Sequence, residues 1–315
     1  MPSHIKASFD DKKKHDLNAF MNMNEKNNPI QRIREVQDRL KLYHDIIFYQ
    51  AKGFCPFYSP IRHDFFLLIL FESAQGKHVI EGKEYLIRGK QLHLVFPGQE
   101  HYCNYKSQEE VYQLLISGDV LDRVERLMQL PVFIYKKNPV IELNEEDFKK
   151  FVHEFKDIRD ELHIPSPVTS EIIYSKMKII ARNIAKEAQK NTEYLNVYES
   201  HPVLFDFINL LNKNFRQERS KKYYADQLRI NANYLNILCK KYLKRTATEI
   251  IHNQTIEKIK YKLMMMDDPL KDIAFDFSFQ NYGHFSGFVK KHTGLTPKKF
   301  REMYGITVQQ SNNQH

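Results

Sequence analysis

The sequence predicts an α+β protein of two domains: a β-barrel with accompanying helices, followed by an all-α domain made of two helix-turn-helix units. Three observations carry this. Short strand-like runs follow one another between Ile46 and Ser117. A helical pattern around Asn236 recurs around Ser286, 50 residues on. The charge is also unevenly divided. Residues 201–305 hold 19 Lys and Arg against 10 Asp and Glu, whereas residues 1–200 hold 29 of each, so the net +9 sits in the last third.

Residues 1–28 are rich in Lys, Asn, Asp and Met and lack any period, which predicts a flexible arm. From Pro29 to about Tyr43, Ile30, Ile33, Val36 and Leu40 fall at helical spacing, so a short amphipathic helix is expected. Strands are then expected at 46–50, 65–72, 77–82, 84–89, 92–96 and 111–117, punctuated by Gly76, Gly82, Gly89 and Pro97-Gly98. Six short strands in about 70 residues fit a compact barrel or sandwich.

After the barrel, Asn144 is a candidate N-cap ahead of Glu145-Glu146-Asp147, acidic residues that favour the exposed amides of a helix start. Phe148, Phe151, Phe155, Ile158 and Leu162 form a stripe that ends at Pro165. A second helix from about Val168 to Lys190 carries Ile172, Ile173, Met177, Ile180 and Ile184. Such helices either complete the core of one protomer or pair two protomers. Residues 191–201 read as a linker.

The helix-turn-helix units span Tyr223 to Arg301. In the first, a polar break at Asn231-Ala232 precedes Asn233–Leu243, with Leu235, Leu238 and Cys239 inward. In the second, a break at Ser278 to Asn281 precedes Tyr282–His292, with Phe285, Phe288 and Val289 inward. A helix from Thr248 to about Met265, stopped by Asp267-Asp268-Pro269, joins them. Eighteen residues give a rod of roughly 27 Å, close to one turn of duplex at about 34 Å. Outward positions in the first second-helix are Asn233, Asn236, Ile237, Lys240 and Lys241. In the other they are Tyr282, Gly283, Ser286, Gly287, Lys290 and Lys291, with Asn281 just ahead. Asn pairs bidentately with adenine and Ile touches a thymine methyl, so the first unit is expected to read and the glycine-bearing second to position. Both lysine pairs can reach phosphates.

The segments YYADQL (223–228), NYLNILCKK (233–241), DIAFDFSF (272–279), HFSGFVKKHTG (284–294) and LTPKKFR (295–301) resemble the AraC/XylS family of bacterial transcription regulators, over roughly Pro202 to Glu302. Where family members often carry Gly, this chain has Ser278 and Lys244. A non-Gly residue in a left-handed turn costs roughly 1 kcal/mol. Gly89 to His101 (GKQLHLVFPGQEH) resembles the second motif of cupins, and Arg62-His63-Asp64 stands where the first motif carries its metal-binding pair. A cupin metal site needs three or four converging ligands. On this reading only His63 and His101 remain, so no metal, cofactor or catalytic residue is expected. The two histidines are either barrel-mouth residues satisfied by hydrogen bonds or, with Tyr85, contacts to a small ligand.

The expected organisation is therefore an arm (1–28), a cupin-like sensor barrel (29–143), a helical dimerisation region (144–190), a linker (191–201), a tandem helix-turn-helix domain (202–305) and a tail (306–315). The resemblance implies a sequence-specific, non-enzymatic regulator that binds double-stranded DNA, a small effector and RNA polymerase, as a homodimer. Its rivals are a constitutive regulator whose barrel is a scaffold and a cupin enzyme tethered to DNA. Cys55, Cys103 and Cys239 are odd in number and scattered, which fits neither a disulfide framework nor a zinc site. The longest apolar run, 65–71, is too short for a bilayer, no signal-peptide stretch is read at the start, and a cytoplasmic, membrane-free protein is expected.

Overall fold

The architecture comes from a computed structural model that describes residues 30–40, 44–56, 60–128, 130, 132–164, 166, 168–190, 201–265 and 268–305. The expected 1–28 arm, nearly all of the 191–201 linker and the 306–315 tail lie outside these residues. The chain divides into two compact units, residues 1–195 and 196–315.

The first unit opens with β1 (Ile30–Gln31), which pairs in parallel with β3 (Arg62–His63). That pairing takes Ile30 out of the expected helix, and α1 begins at Ile33 and runs to Leu40. The Asp64 carboxylate accepts the Ile33 amide at 2.7 Å and so caps α1 from the barrel side. The main sheet contains β2 (Ile46–Pro56), β4 (Phe66–Phe71), β5 (Ala74–Ile80), β6 (Lys83–Ile87), β7 (Gln91–Val95), β8 (His101–Ile116) and β9 (Val140–Glu142), in the order β6-β5-β8-β4-β7-β9, with β2 on the other edge of β8.

Every run expected to be a strand is one, but β8 is longer than expected. Its first half, His101 to Ser107, pairs with β5, and its second half, Val111 to Ile116, pairs with β4, while β2 lies along both. The polar stretch 101–110 hides this from a hydrophobicity reading because its outward residues alternate with buried ones. Gly76 allows β5 and β8 to meet, since a Cβ there would sit 2.1 Å from the Asn104 carbonyl oxygen.

Alternation sorts the strands into two faces. Ile47, Tyr49, Leu67, Ile69, Phe71, Ile80, Val95, Cys103, Tyr105, Val111 and Leu115 form the interior cluster. Phe66, Leu68, Leu70, Leu92, Leu94 and Leu114 are buried as well, on the opposite faces of their strands. The outer face is covered in part by α4 (Glu145–Leu162), whose Lys156 and Arg159 lie over Tyr112 and Phe48. Before it come α2 (Gly118–Val124) and α3 (Val132–Lys137), and after it α5 (Thr169–Lys190). Asn144 caps α4 as expected, accepting the Asp147 amide at 2.8 Å.

Lys176 to Asp157 and Lys190 to Asp147, both 2.7 Å, hold α4 and α5 antiparallel. The stripe expected to face either way is consumed within the protomer, with Phe155 and Ile180 fully buried. Ile164, Val168, Ile172 and Ile179 are the large apolar residues left outward here.

The second unit is all helix: α6 (Pro202–Asn214), α7 (Lys221–Gln227), α8 (Ala232–Leu243), α9 (Ala247–Met265), α10 (Leu270–Asp276), α11 (Tyr282–Thr293) and α12 (Pro297–Tyr304). The rod α9 lies where it was expected. At 19 residues it is about 28 Å long.

Candidate nucleic-acid interface and barrel interior

The two helix-turn-helix units are built by the same local rules. Each first helix ends in a left-handed residue, Arg229 (φ 55°) and Ser278 (φ 50°). The next amide reaches back five residues, Ile230 to the Ala225 carbonyl and Phe279 to the Ala274 carbonyl, each at 3.0 Å. The strained place expected at Ser278 is therefore real, and the one at Arg229 was missed because arginine carries no turn signal. Asn231 and Asn281 then cap the second helices through their side-chain oxygens, at 2.7 Å and 2.9 Å. Counting from left-handed residue to cap, the second turn is one residue longer, the extra residue being Gln280.

Each second helix ends in a left-handed C-cap, Lys244 (φ 57°) and Gly294 (φ 78°). Thr246 and Thr296 cap the helices that follow, and Thr246 and Glu249 close a capping box. Leu235, Leu238 and Cys239 of α8 and Phe285 and Val289 of α11 are buried. Burial pushes the Cys239 thiol up to about 12. Phe288 is half-buried instead, packed beside Phe279, His252 and His292.

On the open face of α8 lie Asn233, Tyr234, Ile237, Lys240 and Lys241, with Ile237 60% exposed. Asn236 differs from the others. It is half-buried, and its Oδ1 accepts the Ala247 amide at 3.1 Å, stitching α8 to the start of α9. The Ala247 amide thus competes with an adenine for that oxygen. Fifty residues on, the corresponding pair is Ser286 and Pro297, and Pro297 has no amide hydrogen to donate. The open face of α11 offers Tyr282, Gly283, His284, Gly287, Lys290 and Lys291, while Asn281 is spent on its cap. Tyr234 and His284, exposed and 50 residues apart, belong to the same faces and were not anticipated.

Arg219 joins the two units. Its guanidinium donates to the Phe277 and Ser278 carbonyls and lies 4.1 Å from the centroid of the Phe279 ring. A residue just ahead of the first unit thus holds the turn of the second.

In the barrel, His63 and His101 are both buried. They are 0% and 4% exposed. Two further histidines, unanticipated because each sits singly within an apolar strand run, join them. His78 on β5 meets His93 on β7 through their Nδ1 atoms at 2.9 Å, and His78 Nε2 meets His101 Nδ1 at 3.0 Å. His63 stacks on Phe65 and stands edge-on to His101, ring centroids 4.9 Å apart. Burial lowers the pKa of all four, His63 to about 4 and His93 to about 3. Tyr85, on β6 and directly opposite His78 of β5, is half-buried and packs against the interior cluster. Among the described residues no group of three or more His, Cys, Asp or Glu is arranged to hold a metal ion.

Comparison with known proteins agrees with both halves. A helix-turn-helix domain model matches residues 224–303 and an AraC-like ligand binding domain model matches residues 47–158. The HTH-type transcriptional activator RhaS of Citrobacter koseri is 20% identical over 253 residues, covering 76% of this chain and 86% of its own length. RhaS of Escherichia coli O81 is 21% identical over 252 residues, with the same coverage. Among solved structures, ToxT of Vibrio cholerae with unsaturated fatty acid bound is 15% identical and covers 82% of this chain and 95% of its own, at a TM-score of 0.35. At that score the structural likeness adds nothing to the assignment.

Proposed function

The chain belongs to the AraC/XylS family of transcription regulators, and from that premise we propose that α8 and α11 enter successive major grooves while the barrel holds a small effector. The observation that carries the reading is the duplicated open face: two capped helices, 50 residues apart, each with a lysine pair at its end, in the half of the chain that holds the whole net charge. Asn233, Tyr234 and Ile237 are the candidate base readers. Lys240, Lys241, Lys290 and Lys291 contact phosphates, and Tyr282, Gly283, Ser286 and Gly287 set the second docking. His63, Tyr85 and His101 line the effector site.

The exposed Ile164, Val168, Ile172 and Ile179 support a homodimer through α5. A regulator of this kind works in the cytoplasm beside RNA polymerase and carries no enzymatic activity. No helix among the described residues is long and apolar enough to cross a membrane.

The test is to sequence the genomic fragments that the full chain enriches and then measure affinity for them against salt. Replacing Lys240 and Lys241 by Ala together should reduce the slope of log K against log salt by about two. Random enrichment, or an unchanged slope, would contradict the docking.

A further inference from the structure

The buried histidines form a chain whose proton positions follow from one end. The Gln91 side-chain amide is fixed in orientation: its Oε1 accepts the Arg88 amide at 2.7 Å and its Nε2 donates to Glu142 at 2.7 Å. His93 Nε2, 3.2 Å from Gln91 Oε1, must therefore carry the hydrogen and donate. A neutral imidazole has one N–H, so His93 Nδ1 is an acceptor, and His78 Nδ1 donates to it. His78 Nε2 is then an acceptor, and His101 Nδ1 donates to it. That leaves His101 Nε2 as a bare lone pair. His63 reaches the same state independently, because its Nδ1 lies 2.7 Å from the Phe65 carbonyl oxygen and must donate there. Nε2 of His63 and Nε2 of His101 are both buried without a hydrogen-bond partner. A buried acceptor left unmet is destabilising, and a donor brought by a ligand relieves it.

We propose that this pair of tautomer-locked nitrogens selects an effector that is a neutral hydrogen-bond donor, a molecule presenting hydroxyl or N–H hydrogens, and rejects carboxylates. The inference rests on the reading that the barrel holds the effector. A carboxylate would set its lone pairs against those of the imidazoles, with no cation in the chain to meet it. A protonated amine would meet the same desolvation that keeps all four buried imidazoles neutral. A transition metal wants three or four donors, and the acceptor nitrogens of His78 and His93 are already spent within the chain.

The experiment is thermal unfolding of the full chain at neutral pH with three probe sets: neutral polyols (pentoses, hexoses, inositol), medium- and long-chain fatty acids, and zinc or nickel chloride. A polyol is expected to raise the midpoint by roughly 3–6 °C near saturation. The rise should vanish in His63→Phe, which keeps the stack on Phe65, and in His101→Gln, whose amide can still meet His78. The midpoints of these variants without ligand report whether they fold. Imidazole nitrogen spectra of the unsubstituted chain give a readout independent of any variant, and Nε2 of His63 and of His101 should both be unprotonated.

A proton on either nitrogen overturns the proposal. So does an unchanged midpoint across all polyols, or stabilisation by fatty acids or metal that the same variants abolish. That last outcome would leave the effector reading standing. A polyol that binds through these histidines without changing operator affinity would sink the effector reading and keep the site.

Discussion

At the scale of single residues, the buried polar groups decide the pH behaviour of the barrel. An unfolded chain protonates its histidines below about pH 6.5, whereas burial holds His63 near 4, His93 near 3 and His78 and His101 well below 6.5. The unfolded state therefore binds more protons, and stability present above pH 6.5 is lost as pH falls toward 4, by up to about 1.4 kcal/mol per pH unit for each histidine. Asp64 opposes this. Burial raises it from 3.8 to about 6, so its contribution is present below pH 3.8 and lost as pH rises through 6. Asp64→Asn keeps an acceptor for Ile33 and removes the opposing term, so hydrogen exchange at β5 and β7 amides should show a steeper acid loss. Barrel protection that stays flat between pH 7 and 5 would mean the histidines are not buried and neutral. Asn236 makes a second case, because its oxygen is committed to Ala247. Asn236→Ala should lower the stability of the second unit by about 1 kcal/mol, whereas Asn233→Ala should leave stability unchanged and relax preference at one base pair by roughly 1–3 kcal/mol. Competition binding against operator variants separates the two.

At the scale of elements, the sequence discloses whatever repeats with a period and hides whatever depends on a distant partner. The rod α9, the N-cap Asn144 and the strand runs are legible because each is local chemistry. The first half of β8 is not, since its outward residues are polar and its pairing with β5 is settled across the sheet. Nor is the histidine chain: His78 and His93 are ordinary singly, and only the register that places β5 and β7 side chains in one interior joins them. The four-residue capping box and the left-handed Arg229 fall between these limits. Arg219 is the plainest long-range case, since beside its local bond to the Arg216 carbonyl it reaches two carbonyls 58 and 59 residues away. Arg219→Ala removes these three bonds and the contact with Phe279. It should cost the second unit about 2–3 kcal/mol and raise hydrogen exchange at Phe279 more than at Ile230, while Arg219→Lys should recover only part. Equal exchange at both turns would show that Arg219 does not hold the second one.

At the scale of the whole molecule, the division of the apolar surface of α4 and α5 decides how two copies could pair. Phe155 and Ile180 are fully buried within the protomer, so cutting Phe155 to Ala should cost about 3–5 kcal/mol of folding stability and says nothing specific about assembly. Ile172 and Ile179 stand outward on α5. If α5 pairs two protomers as proposed, aspartate at both should leave the fold intact and give a monomer in sedimentation where the unsubstituted chain gives a dimer. If two protomers hold two half-sites, pairing makes the second docking intramolecular, with an affinity gain of 10² or more. The double aspartate variant should accordingly lose about that factor on a full operator and nothing on an isolated half-site. The salt slope separates this from lost phosphate contacts. A monomer docking on the full operator contacts half the phosphates, so its slope should fall toward the half-site value, whereas the Lys240 and Lys241 replacements lower the slope on both DNAs. A double aspartate variant that sediments as a monomer yet binds the full operator as tightly as the unsubstituted chain would show that regulation by this protein does not run through paired protomers.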